Sequence, residues 1–295
     1  LSSYSHPNGH ALRDGLLLVG HGSRSEAGAL EILSFAELVT RSAKNFEVET
    51  GFLELSDPPA GVALDRLVNH GAKRIAVVPL MLNGGGHSKS DVPAVVLEAR
   101  LRHPNITILY GRPLGLDTRI LSLAATRISE AGGSAKPLAV IARGTSEPEA
   151  NADAFKASRL LAEACNSPLV MTGFSGVTWP DVPTVLEQLE ALGAKEIVCF
   201  AWFLFTGLLI QRMKSDFYDF ARRTGIRIVD AGYLGPSPEL VPVVLERAKE
   251  ALEGQATMTC DACSYRLPFP GLEERVGTPL GHGHSHLAEE HRHRH

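Results

Sequence analysis

The feature that most restricts what this chain can fold into is a repeat of itself. Displaced by 122 residues, "LLLVGHGSRSE" (16–26) lies over "LAVIARGTSEP" (138–148), "TGFLEL" over "TGFSGV", and "LVNHGAKRIAVVPLML" over "LEALGAKEIVCFAWFL", with no gap across about 65 residues. A register held that long marks a duplicated domain, and the period far exceeds a solenoid unit. In a chain of 295 residues each copy is large enough to bury a core of its own. The Gly/Ser/Pro-containing stretch "AGGSAKP" at 131–137 predicts the join.

Within each copy, short apolar runs alternate with longer amphipathic patterns. "GLLLVGH", "FEVETGFLEL", "KRIAVVPLML" and "NITILYGRPL" read as buried strands, because strands covered on both faces are near-continuous in apolar residues. Between them, helices are predicted over "EAGALEILSFAELVTRSAK", with Leu30, Leu33, Leu38 and Val39 as its apolar residues, and over "AGVALDRLVNHG", capped by Gly71. Further helices are expected near 91–102 and 117–131. Strand feeding helix in this order gives right-handed crossovers and a parallel sheet. The predicted fold is α/β: two tandem similar lobes, each a parallel sheet flanked by helices, facing each other across a cleft at the strand carboxyl ends. Expected boundaries are 14–132 for the N-terminal lobe carrying a metal site, 137–253 for its degenerate duplicate and 254–295 for a flexible Cys/His-rich extension.

The copies differ where chemistry resides. His21 follows the first strand, Glu54 closes the second, and His87 follows the third in "NGGGHSKSD", whereas the gapless register places Arg143, Gly176 and Leu209 at the corresponding positions. Three neighbouring strand ends point into one crevice, so two imidazoles and a carboxylate can converge as ligands for a first-row divalent ion. Taken singly, each histidine reads as a loop or capping residue, and Glu54 as a cap for the next helix. Their joint placement, with the set lost together in the duplicate, favours the metal. Gly84, Gly85 and Gly86 let backbone approach a large ligand closely.

These motifs carry a resemblance. "VGHGSR", "GFLEL" before a Pro-containing turn, "VVPLML" running into "GGGHSKSDVP", and the half-length duplication resemble the class II chelatases of tetrapyrrole biosynthesis in their long, two-lobed form, over about residues 14–253. The resemblance implies that His21, His87 and Glu54 serve both metal and catalysis. It also implies an ATP-independent lyase that inserts Co(II) into sirohydrochlorin on the anaerobic route to cobalamin, with siroheme-forming ferrochelatases as relatives. A polycarboxylate substrate calls for cations, and Arg24, Lys89, Arg143 and Arg212 are the candidates, each also readable as a solvated surface charge.

Beyond residue 254 the composition changes. Met258, Cys260 and Cys263 form an M-x-C-x-x-C motif, and six histidines fall in the last fourteen residues. The resemblance implies an iron-sulfur centre at Cys260 and Cys263. Two thiolates do not complete its shell; a second chain supplies the rest, making a homodimer, or the pair is a redox dithiol. The tail reads as a metal-gathering segment, the plainer reading being an expression tag. Cys165 and Cys199, in a predicted helix and strand, are expected in the core. A net charge of −4 without a basic block speaks against nucleic acid. With no long apolar run and no signal-type start, a soluble, cytoplasmic chain is expected, with no membrane partner. Two other classes stay open: a metallochaperone working through the tail, and a phosphoryl-transfer enzyme with a histidine nucleophile. Neither explains the joint loss of ligands in the second copy.

Overall fold

The computed structural model describes residues 13–256. Met258, Cys260, Cys263 and the histidine tail, for which metal chemistry is expected above, lie outside the described residues. In the first half, β1 (Asp14–Gly20), α1 (Glu26–Ser42), β2 (Phe46–Phe52), α2 (Ala60–Asn69), β3 (Arg74–Pro79), α3 (Val92–Arg102), β4 (Thr107–Tyr110) and α4 (Thr118–Glu130) follow in order. The second half repeats them as β5 (Leu138–Ala142), α5 (Pro148–Ala164), β6 (Val170–Phe174), α6 (Val182–Ala191), β7 (Glu196–Ala201), α7 (Leu208–Thr224), β8 (Arg227–Tyr233) and α8 (Val241–Leu252). Two four-stranded parallel sheets result, ordered β2-β1-β3-β4 and β6-β5-β7-β8. The order reverses between β1 and β3, and between β5 and β7, and that is where doubly wound sheets open a crevice at their carboxyl ends.

Burial follows the strand alternation. Leu17, Val19, Ile75 and Val77 face α2 and α3, while Leu16, Leu18, Ala76 and Val78 face inward. The inward side joins the matching residues of the other sheet, Leu138, Val140, Val198 and Phe200, in one continuous core. In α1 the buried stripe is Ile32, Phe35, Ala36 and Val39, at helical spacing. Leu30 and Leu33, named from the sequence as apolar positions of this helix, are exposed.

The sequence halves are not the spatial halves. α8 packs on β3, β4 and α1 of the first half, while α4 packs on α5 and β8 of the second. Each half lends its last helix to the other's sheet. Ion pairs lock the exchange: Arg247 of α8 reaches Asp117 Oδ2 at 3.1 Å and the Leu114 carbonyl at 3.0 Å, and Arg112 grips Glu250 with two bonds of 2.9 Å. Among the described residues no helix is long and apolar enough to cross a membrane.

Candidate active site

Residues just past β1, β2 and β3 build the site, and backbone hydrogen bonds carry the strand pairing beyond the strands. Leu53 N–H donates to the Gly20 carbonyl at 3.0 Å and Glu54 N–H to the His21 carbonyl at 3.1 Å, which sets Glu54 beside His21. Gly22 makes that crossing feasible. Its φ is +97°, and a Cβ there would stand 1.7 Å from the Glu54 carbonyl oxygen, so no side chain fits. An imidazole held between two glycines is thus the price of a neighbouring loop passing directly over the chain.

His87 arrives differently. The helix predicted near 91–102 begins earlier, with a wide turn over His87–Asp91 closed by a bond from Val92 N–H to the His87 carbonyl. Such π-type turns recur at functional sites. Here the turn brings Asp91 onto His87, with Oδ2 at 2.5 Å from Nδ1, which leaves His87 Nε2 directed at the cleft. Burial opposes charge on Asp91, but its bonds to His87 and Ser90 outweigh that and hold its carboxyl below the usual range. A carboxylate behind an imidazole fixes ring orientation and raises ligand basicity.

The donor atoms converge. His21 Nε2 lies 3.0 Å from His87 Nε2 and 3.2 Å from Glu54 Oε1. Burial first, then the neighbouring His87 and Arg143, push His21 down to about 4 against the pull of Glu54, so it is neutral near pH 7. Among the described residues no three His, Cys, Asp or Glu side chains are already spread around a common point as a filled metal site requires. His21 Nε2 contacts each of the other two donors instead. Ligands about 2.1 Å from a tetrahedral ion stand roughly 3.4 Å apart, so both observed separations need to widen by only a few tenths of an ångström.

His21 and His87 line a cleft of about 550 Å³ whose lining comes from both lobes. Arg24, Arg143 and Arg212 line it, and none of the three has a carboxylate partner among the described residues. Lys89, expected from sequence to join them, does not. Its ammonium is buried against Glu149, with Glu147 Oε2 at 3.8 Å, and a cation neutralised twice has little left for a substrate. On the opposite wall Arg143 stands at the counterpart of His21. Gly176 stands at the counterpart of Glu54, where a Cβ would lie 2.4 Å from the Arg143 carbonyl. The helical segment corresponding to His87–Arg102 begins at Leu208, one residue from the gapless register, and Leu208 and Leu209 face the cleft.

Asp91 escaped the sequence reading, although the His-x-x-x-Asp spacing of "HSKSD" was a signal for it, since residues four apart share a face of a helical turn. Cys165 and Cys199 are buried; burial raises both thiols, with the Asp230 charge adding to it at Cys199.

The CbiX family model matches residues 15–131 and again 137–251. A sirohydrochlorin cobaltochelatase of Priestia megaterium is 37% identical over 279 residues, which are 91% of this chain and 88% of that protein. A sirohydrochlorin ferrochelatase of Bacillus subtilis is 28% identical, across 86% of this chain and 98% of its own. Among solved structures, SirB from Bacillus subtilis with Fe3+ superposes with a TM-score of 0.74 at 28% identity, covering 83% of this chain and 99% of that one.

Proposed function

The chain belongs to the CbiX family, the class II chelatases, and on that footing we propose that it inserts a divalent metal ion, Co(II), into sirohydrochlorin in the cleft between its lobes. For each ion that enters the macrocycle, two pyrrolic N–H protons must leave, so a site that trades an ion for protons suits both halves of the reaction. His21 Nε2, His87 Nε2 and Glu54 Oε1 are such a set. In the metal-free protein His21 Nε2 contacts both other donors, 3.0 and 3.2 Å away. When the ion binds, the neutral ring keeps its single proton on Nδ1, 3.3 Å from the Gly22 carbonyl, and Nε2 offers its lone pair to the ion. As the ion passes to the ring nitrogens, the vacated imidazole and carboxylate lone pairs receive the pyrrolic protons.

The observation that carries this reading is the contact of His21 with both other donors at the strand carboxyl ends, beside a cleft that also presents three arginines with no carboxylate partner among the described residues. Arg24, Arg143 and Arg212 dock the peripheral carboxylates, a task that suits the guanidinium fork. The donor set itself accepts Co, Fe or Ni. Cobalt is favoured by the 37% identity to the Priestia megaterium cobaltochelatase. Insertion of Fe(II) for siroheme is the second reading, favoured by the 28% identity to the Bacillus subtilis ferrochelatase. The histidine-rich extension collects ions when they are scarce, and a metallochaperone would need little more than that. Anaerobic absorbance assays offering sirohydrochlorin with Co(II), Fe(II) or Ni(II) separately distinguish these readings. Faster turnover with Co(II) supports the proposal, faster turnover with Fe(II) supports the second reading, and no insertion of any of the three excludes both.

A further inference from the structure

Two cross-lobe clasps flank the cleft. On one side the loop after β7 meets α1, where Thr206 N–H donates to Glu31 Oε2 at 2.7 Å and the Tyr233 hydroxyl to Oε1 at 2.5 Å. On the other side the loop after β3 meets the start of α5. There Asn83 Nδ2 donates to the Ala150 carbonyl at 3.2 Å, and Lys89 is paired with Glu149 and, at 3.8 Å, with Glu147. The second clasp is the buried one: the side chains of Lys89, Glu147 and Glu149 are 2%, 0% and 12% exposed.

The location of this buried triad is informative. An ammonium held between carboxylates away from water is costly to disturb, because removing either partner strands a buried charge. A latch that merely joined the lobes could sit anywhere along their interface. This one sits in the turn that presents His87, two residues beyond it, and residues two apart in a helical turn point to different sides. So one side of the turn offers His87, backed by Asp91, to the cleft while the other is anchored in the second lobe. Tyr110 donates its hydroxyl to the Ser88 carbonyl at 2.5 Å and pins the same turn from the first lobe.

We propose that Lys89 is a positioning residue: through Glu147 and Glu149 it fixes the His87 turn to the second lobe, so that a lobe without donors of its own sets where His87 Nε2 stands relative to His21 and Glu54. The inference rests on the reading of His21 and His87 as metal donors. It replaces the sequence-derived role of Lys89 as a substrate-docking cation, and the two roles separate kinetically. A docking cation acts on KM, whereas a positioning residue acts on kcat and on the ion's coordination.

The test uses the full chain. Visible ligand-field bands of bound Co(II) are recorded for wild type, His21→Ala, Lys89→Met, Lys89→Arg and Glu31→Gln, alongside insertion kinetics and melting temperature. The bands that wild type has and His21→Ala lacks define the cleft ion. Lys89→Met should shift those bands and lower kcat by about tenfold or more, the range typical of residues that orient a metal ligand, with little change in KM. Lys89→Arg should restore most of both. Glu31→Gln, which weakens the other clasp, should lower the melting temperature and leave the bands in place. If Lys89→Met does not fold, Glu149→Gln, which leaves Glu147 as partner, is read in the same way. Unshifted bands with wild-type kcat would overturn the proposal, as would a rise in KM alone. A wild-type protein without His21-dependent bands would overturn the metal-donor reading itself, and this proposal with it.

Discussion

Up to the ends of their strands the two lobes are the same object. Leu16 pairs with Val48 and Ala76, and Leu138, 122 residues later, pairs with Val170 and Val198. Gly51 and Gly173, again 122 apart, both lie where a Cβ would collide, with Ala60 in one lobe and Val185 in the other. One residue past β1 and β5 the likeness ends: His21 in one lobe, Arg143 in the other. The difference shows which constraint acts where. Close packing penalises change along the strands, whereas groups beyond the strand ends contribute little to the core and are free to change chemistry. Under the proposed function, one wall of the cleft keeps donors for a cation, and the other turns a cation toward the substrate.

The largest expected effect is on the donor wall. His21→Ala or His87→Ala should reduce metal insertion by at least about a hundredfold and leave the melting temperature close to wild type; near-normal rates in both variants would break the comparison outright. Asp91→Asn removes the carboxylate behind His87 and should cost about 10- to 100-fold in rate or metal affinity, measured by Co(II) titration and initial rates. On the opposite wall Arg143→Ala should raise the apparent KM for the macrocycle, by about 1–3 kcal/mol for a charge-assisted bond, with no loss of Co(II) binding. Weakened Co(II) binding instead would place Arg143 with the donors.

The smallest effect sharpens the comparison through pH. His21 has an ordinary value of 6.5 that the fold lowers to about 4. Between these values the unfolded chain takes up a proton that the folded one refuses, so the metal-free protein loses stability as pH falls through that window. Between pH 7 and 5.5 the loss should be about 1 kcal/mol, and His21→Ala should abolish it. Denaturant midpoints at pH 7 and 5.5 for both proteins check this, and parallel curves would show that His21 is not held neutral by burial.

Much of this was legible because the signals are local. Buried parallel strands announce themselves as apolar runs, and a duplication shows where two copies agree and where they part, which is what singled out His21, Glu54 and His87. The exchange of α4 and α8 was not legible, since an amphipathic helix shows the same stripe whichever sheet it covers. Lys89 was misassigned for a related reason: its partners Glu147 and Glu149 lie about 60 residues away, and nothing near "HSKSD" marks that lysine as buried. The exposure of Leu30 and Leu33 in α1 follows from the choice of stripe, because Ile32, Phe35, Ala36 and Val39 make the better-spaced apolar face.

The central claim is that one wall of the cleft holds the ion and the other does not. Crystals of the full chain grown with Co(II), with data collected at the cobalt absorption edge, test it directly. The account predicts one anomalous peak in the cleft, about 2.1 Å from both His21 Nε2 and His87 Nε2, and none beside Arg143. A peak on the Arg143 wall, or a cleft peak that persists in His21→Ala crystals, would contradict it.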